Sequence, residues 1–290
     1  MDRSDQQRQE ESAVALTTDL PLLGVAIPTA GIETLQDFIL SENRDLELQD
    51  FIDADLLNGD WKSVADRAKA LLAGHTGRLG IHGPFWGLDI ACPDPDIRAL
   101  NTRKFMQGLD VCEYLAATQM VIHSPYSTWD FNNLDNFQGR AAYDRVLDNC
   151  HRTMAAVVKR AEEIGVTMVI ENIQDKDPDI RRILADSFDS PAMAVSIDTG
   201  HAHYAFGSTG APPVDYYVRR AGGRLEHVHL QDADGYADRH WSIGEGTICW
   251  PAVFRALGEI TSKPRLILEL RDKSGILPSA AYLNRLGLAR

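Results

Sequence analysis

Short apolar, β-rich runs alternate along this chain with longer segments of helical period. Eight runs have the length and composition of strands: LLGVAIPT (22–29), DLELQD (45–50), LGIHGP (79–84), MVIHSP (120–125), TMVIENI (167–173), AVSIDTGH (194–201), LEHVHLQD (225–232) and RLILELR (265–271). Between them lie helical patterns. In PDIRALNTRKFMQGLDVCEYLAA the residues Ile97, Leu100, Leu109, Cys112 and Leu115 recur near a 3.6 period. A second helix is expected over residues 138–164, ending at Gly165 as a C-cap. Further helices should follow Gly31, Asp60, Pro178, Pro213, Trp250 and Ser279. Eight strands, each with its helix, is the count of a single α/β domain, a (β/α)8 TIM barrel. A doubly wound open sheet is the competing arrangement, but no GxGxxG loop follows the first strand. Without a linker or internal repeat, the expected organisation is a disordered polar tail at 1–20 and a catalytic barrel at 21–290.

Composition narrows the setting. The 290 residues are 44% hydrophobic and 24% charged, an ordinary globular mix. No apolar run reaches the roughly 18 residues of a membrane span. The opening MDRSDQQRQEES lacks the basic-then-apolar layout of a secretory signal. Cys92, Cys112, Cys150 and Cys249 are scattered, as reduced thiols of a cytoplasmic protein would be. A net charge of −13 disfavours a basic face for nucleic acid or anionic lipid. It does not exclude a local positive site built on bound metal, which that count omits.

A barrel collects its chemistry at the C-terminal ends of its strands. His82 ends the third run, His123 the fourth, Glu171 the fifth and Asp198 the sixth, with His201 three residues on. His229 lies near the end of the seventh, its loop carries Asp238 and His240, and Glu269 ends the eighth. Each alone could cap a turn or a helix. Nine metal-ligand side chains on one rim need a counter-charge, so a metal site is expected. His75 and His151 fall in helix candidates and read as packing or surface residues. His227 shares the strand face of His229 one layer deeper and reads as a supporting histidine.

The ordered set IHGP, VIHSP, IENI, IDTGH, HLQD, DRHWSIGEG and LILEL resembles the xylose-isomerase-like barrel superfamily over about residues 22–271. That group includes endonuclease IV and many sugar isomerases and epimerases. The endonuclease IV pattern implies three zinc ions held by His82, His123, Glu171, Asp198, His201, His229, Asp238, His240 and Glu269. The epimerase pattern implies one divalent ion on Glu171, Asp198, His229 and Glu269, with the two glutamates moving the proton and His201 and Arg239 contacting the sugar. The lysine that xylose isomerases place shortly after the strand-five glutamate is not evident, since Lys176 lies in a different spot.

Charge separates the two implied chemistries. Three divalent ions bring six positive charges against four from Glu171, Asp198, Asp238 and Glu269, an excess suited to a phosphodiester and a metal-activated water. One ion meets three carboxylates, a balance suited to a neutral polyol or keto-sugar. The full ligand set favours a multinuclear-metal phosphoester hydrolase of endonuclease IV-like type acting on a small substrate. A divalent-metal sugar (phosphate) isomerase or epimerase with Glu171 and Glu269 as acid/base pair is the alternative. A true apurinic DNA endonuclease ranks third, and a barrel that binds without turnover last, since no ligand is missing. The cofactor expectation is up to three divalent ions, zinc first, with manganese or iron also compatible.

For a grip on DNA the rim offers Arg98, Arg103, Lys104 and Arg140, set against Asp89, Asp94, Asp96, Asp130 and Asp135. Phe85, Trp86, Trp129 and Trp241 could wedge or stack on bases, but a small-molecule pocket explains them as well. The expected partner is therefore a small phosphoester or sugar, with no membrane and no favoured nucleic acid. Oligomeric state is left open.

Overall fold

The structure, a computed structural model, describes residues 20–133 and 140–290, with no side-chain detail for 140–142. The expected tail at 1–20 lies, apart from Leu20, outside the described residues. The strands are β1 (Leu23–Ile27), β2 (Leu46–Leu48), β3 (Leu79–His82), β4 (Gln119–His123), β5 (Thr167–Glu171), β6 (Met193–Asp198), β7 (Leu225–Leu230) and β8 (Arg265–Leu268). They pair in chain order, all parallel, and β8 closes onto β1 through Leu23 opposite Leu266. The sheet is a closed barrel and not an open doubly wound sheet.

The helices around it are α1 (Ile32–Ser41), α2 (Ala54–Asn58), α3 (Trp61–Leu71), α4 (Pro95–Leu115), α5 (Thr128–Asn132), α6 (Arg140–Ile164), α7 (Ile180–Ser187), α8 (Thr199–Thr209), α9 (Val214–Ala221), α10 (Trp250–Glu259) and α11 (Ile276–Arg285). Three differences from the periodicity have local causes. The sixth strand stops at Asp198, not at residue 201, because the Asp198 carboxylate accepts the His201 N–H at 2.7 Å and starts α8. The last helix begins at Ile276, before Ser279, since Pro278 fits a first turn whose N–H groups have no helical partner. The short α2 and α5 were not expected. Asp53 caps the first, and a Ser127–Asp130 capping box opens the second.

Period-two alternation divides each strand between two environments. Leu46, Leu48, Ile81, Met120, Ile122, Met168, Ile170, Val195, Ile197, Val228, Leu230, Leu266 and Leu268 are buried in the main hydrophobic core. Their alternates face the barrel interior. Val121, Val169 and Ala194 form a small separate apolar cluster. Alternating with the outer residues, and close to it in sequence, come Glu47, Ser196, Asp198, His227, His229 and Glu171, all buried. His229 reaches both Glu47 and Glu171, on strands that are not its neighbours, so the contact crosses the interior. Most barrels fill this space with Val, Ile and Leu; here its upper part is polar. Among the described residues no helix is long and apolar enough to cross a membrane.

Candidate active site

All nine expected ligand residues converge at the C-terminal mouth of the barrel. His82 Nε2 and His123 Nε2 each lie 3.6 Å from Glu171 Oε2. His229 Nδ1 stands 3.0 Å from Glu171 and 3.3 Å from Glu269. His201 Nε2 and His240 Nε2 approach Asp238 at 3.5 and 3.1 Å. Eight of the nine place ligand atoms in groups no wider than 4.8 Å: His82 with His123 and Glu171; Glu171 with Asp198, His229 and Glu269; Asp198 with His201 and His240; Asp238 joins none of these, and His229 also groups with Glu47 and His227.

Whether these groups suit a cation can be read from the other ring nitrogens. His82 Nδ1–H donates to the Gly83 carbonyl (2.9 Å), His201 Nδ1–H to Asn172 O (2.8 Å) and His240 Nδ1–H to Glu269 O (3.2 Å). A carbonyl can only accept, so Nδ1 keeps its proton, and in the neutral ring the Nε2 lone pair is turned to the carboxylates. Glu171 Oε2 and Asp198 Oδ2 are buried and accept no hydrogen bond, an arrangement that costs about 1–3 kcal/mol per group unless a cation satisfies it. Mixed imidazole and carboxylate donors suit zinc, manganese or iron. The residues therefore fit divalent metal.

Within the chain itself the opposite charges compensate. Burial opposes the charge on Glu171, but His229, His82 and His123 outweigh it and hold the carboxyl well below its ordinary range. Burial likewise opposes the charged forms of His229 and His201, which their carboxylate neighbours nevertheless raise well above the usual imidazole value. His240 is pushed up to about 9, with Asp238 and Glu269 overcoming burial. His123 goes the other way, to about 3, because burial exceeds what Glu171 offers. Burial lifts Asp198 to about 6 against His201 and His240. A metal ion would displace protons from His201, His229 and His240.

The loop after β7 delivers the outer ligands. Asp232 accepts the N–H groups of Gly244 and Ile248 and the Trp250 indole N–H, and pairs with Trp241 as an antiparallel bridge. That hub folds the segment back over the barrel. His240 sits at φ +50°, a left-handed conformation uncommon for a histidine and typical of constrained functional loops. Gln231 ties the loop to the barrel: its amide donates to Asp198 and Asp238, both at 3.1 Å, and its carbonyl accepts the His240 N–H at 2.8 Å. The Gln231 amide occupies the space where a side chain on Gly200 would begin, 2.2 Å away.

Glu47 is the site residue that sequence reasoning missed. It is 3% exposed, 3.1 Å from His229 Nε2 and 3.0 Å from His227 Nε2. His227 in turn contacts Ser196 Oγ at 2.9 Å through Nδ1. Burial opposes Glu47's charge, but His229 and His227 hold it far below the ordinary range. Its signal was present: a carboxylate between two leucines in a buried strand has no place unless a partner waits inside.

Other expectations move. Arg239 pairs with Asp234 at 2.8 Å and lies over Trp241, belonging to none of the ligand groups. Among the described rim cations Arg103 is exposed, and two are bonded within the protein. Lys104 is buried in α4 against Asn58, and Arg98 is bonded to the carbonyls of Cys92 and Pro93. Arg140 and Asp135 have no described side chains. Lys176 lies over Phe131. Trp86 and Trp129 are exposed, while Phe85 stacks on His123 at 4.1 Å beside a cavity of about 240 Å³. His75 bonds Arg44 O and His151 packs on Phe188.

Residues 31–286 match the Xylose isomerase-like TIM barrel family. The chain belongs to that family. Among known proteins, it is 27% identical over 192 residues to an uncharacterized protein of Methanocaldococcus jannaschii, an alignment covering 62% of this chain and 60% of that one. It is 23% identical over 194 residues to D-psicose 3-epimerase of Ruminiclostridium cellulolyticum, covering 65% and 61%. The chain thus spans about three fifths of the length of each of these two relatives. Among solved structures, a Thermus thermophilus protein soaked with ZnCl2 superposes with a TM-score of 0.68 at 26% identity, covering 92% of this chain and 99% of that one. A D-tagatose 3-epimerase-like protein gives 0.70 at 21%, covering 91% and 96%, and shares the fold.

Proposed function

We propose that the protein is a divalent-metal-dependent sugar epimerase or isomerase with Glu171 and Glu269 as its acid/base pair. This reverses the order drawn from the sequence, where hydrolysis of a phosphoester led. The observation that carries it is the group formed by Glu171, Asp198, His229 and Glu269, all buried, with one ligand atom from each inside 4.8 Å. Glu47 adds a fourth buried carboxylate beneath that group, and the exposed Asp238 makes five in the site. Together the five nearly cancel the positive charge that three ions would bring, and two of the rim cations, Lys104 and Arg98, are engaged elsewhere. A neutral keto-sugar suits that balance better than a phosphodiester. The similarity to D-psicose 3-epimerase and the D-tagatose 3-epimerase-like structure agrees with it.

In this reading Glu171, Asp198, His229 and Glu269 hold the ion, which when bound acidifies the carbon next to a sugar carbonyl by polarising its oxygens. Glu171 ends β5 and Glu269 follows β8, on well-separated strands flanking His229. One carboxylate takes the proton from one face of that carbon, leaving an enediolate. The other, protonated, returns a proton to the opposite face, which inverts the centre. His201 and Arg239 would meet the sugar hydroxyls from the rim, and the aromatic wall at Phe85 would cover its apolar face.

A second reading, the multinuclear phosphoester hydrolase, is favoured by one observation: His82/His123 and His201/Asp238/His240 flank the central group with their Nε2 atoms turned inward. Proton exchange separates the two. The metal-loaded protein in D2O should place deuterium beside the carbonyl of at least one member of a ketopentose and ketohexose panel, read by NMR. No exchange across the panel, together with cleavage of bis-p-nitrophenyl phosphate, would overturn the proposal in favour of the hydrolase.

A further inference from the structure

Glu269 has two oxygens, and only one of them faces the histidines. Oε2 lies 3.3 Å from His229 Nδ1 and 3.5 Å from His240 Nδ1. Oε1 accepts a hydrogen bond from the Gln49 amide nitrogen at 2.6 Å. An amide can present either end, so something must choose. Lys273 does: its ammonium donates to Gln49 Oε1 at 2.8 Å and to the Ala26 carbonyl at 2.9 Å. An ammonium has donors only, so the amide oxygen must face Lys273 and the NH2 must face Glu269. Three segments meet here that the sequence keeps far apart: the end of β1 (Ala26), the residue after β2 (Gln49) and the turn after β8 (Lys273). None of the three residues belongs to a ligand group.

We infer that Lys273 and Gln49 are positioning residues that engage Glu269 Oε1, so that Glu269 offers the ion and the substrate a single oxygen, Oε2. The inference rests on the metal-site reading above and deepens it. One oxygen at the ion leaves a coordination position free for a substrate oxygen. A carboxylate held through both oxygens would fill that position. The two residues act through Glu269 and touch neither metal nor sugar.

Cobalt(II) is the probe, because its visible spectrum reports coordination number and a loss of packing alone would leave that spectrum unmoved. Gln49→Met keeps the side-chain length and removes the donor. Lys273→Met keeps Gln49 but lets its amide turn over. Both variants, checked for folding by circular dichroism, should lose visible absorption per bound ion relative to the unaltered protein, as Glu269 closes onto the ion with both oxygens. Cobalt affinity should change by about 10-fold or more, as outer-shell changes generally do. Cobalt spectra identical to the parent in both variants would overturn the inference while leaving the metal site standing. A parent protein that takes up no cobalt would overturn the metal-site reading and this inference with it.

Discussion

Replacing Glu47 with glutamine should weaken divalent-metal binding about tenfold without touching a proposed ligand. Glu47 lies 3.1 Å from His229 Nε2 through both oxygens, on the far side of the ring from Glu171 and Glu269. It fixes the ring's rotation, keeps a proton on Nε2 and leaves Nδ1 as the donor atom. A hydrogen bond to a charged group is worth about 1.5–3 kcal/mol and a neutral one about 0.5–1.5. The difference, near 1.4 kcal/mol, is about one decade in affinity. At 3% exposure there is little solvent to dilute it. Alanine removes the acceptor altogether and should approach the 100-fold end of outer-shell effects, about 2.7 kcal/mol. The assay is cobalt or zinc titration by calorimetry at fixed pH, with circular dichroism to confirm folding. Unchanged affinity in Glu47→Gln would refute the reasoning: His229 would then be oriented by its strand alone.

Three further outcomes follow from the site. Asp238→Asn should lower the metal content measured by mass spectrometry only if the Asp198/His201/His240 group holds an ion of its own; under a single central ion the count stays the same. For the ion-free protein, the raised pKa of His240 stabilises the fold fully below the ordinary imidazole value near 6.5, and that contribution is lost as pH rises toward about 9. Urea unfolding across that window should show falling stability. Bound metal, which needs neutral imidazoles, should oppose the trend, because its affinity rises with pH. Gly200→Ala should cost about 1–3 kcal/mol, since the new methyl meets Gln231 at 2.2 Å, and should loosen Asp238 and His240 together; urea unfolding and metal titration read both effects.

The alternation of eight β-rich runs with helical patterns was enough to define the barrel, because period-two burial and short connections leave a parallel strand–helix repeat few other ways to close. The same rule placed His82, His123, Glu171, Asp198, His229 and Glu269 on one rim, since strand ends are legible and a barrel gathers them. The sequence also named Asp238 and His240, but not the Asp232 hub and the Gln231 clamp that hold them over the mouth. Glu47, Gln49 and Lys273 stayed hidden for a different reason. Each owes its role to strands far away in the chain, meeting across the interior and the mouth of the closed barrel. Lys104 was misplaced because helical period does not reveal which face of α4 packs inward, and it is on that face. Sequence thus determined the fold and which imidazole and carboxylate side chains meet at its mouth, which depend on local period and residue type. Tertiary structure alone decided the charge balance, by adding Glu47 and withdrawing Lys104 and Arg98, because electrostatics depends on distance through space, and that balance moved the reading from hydrolysis to epimerisation.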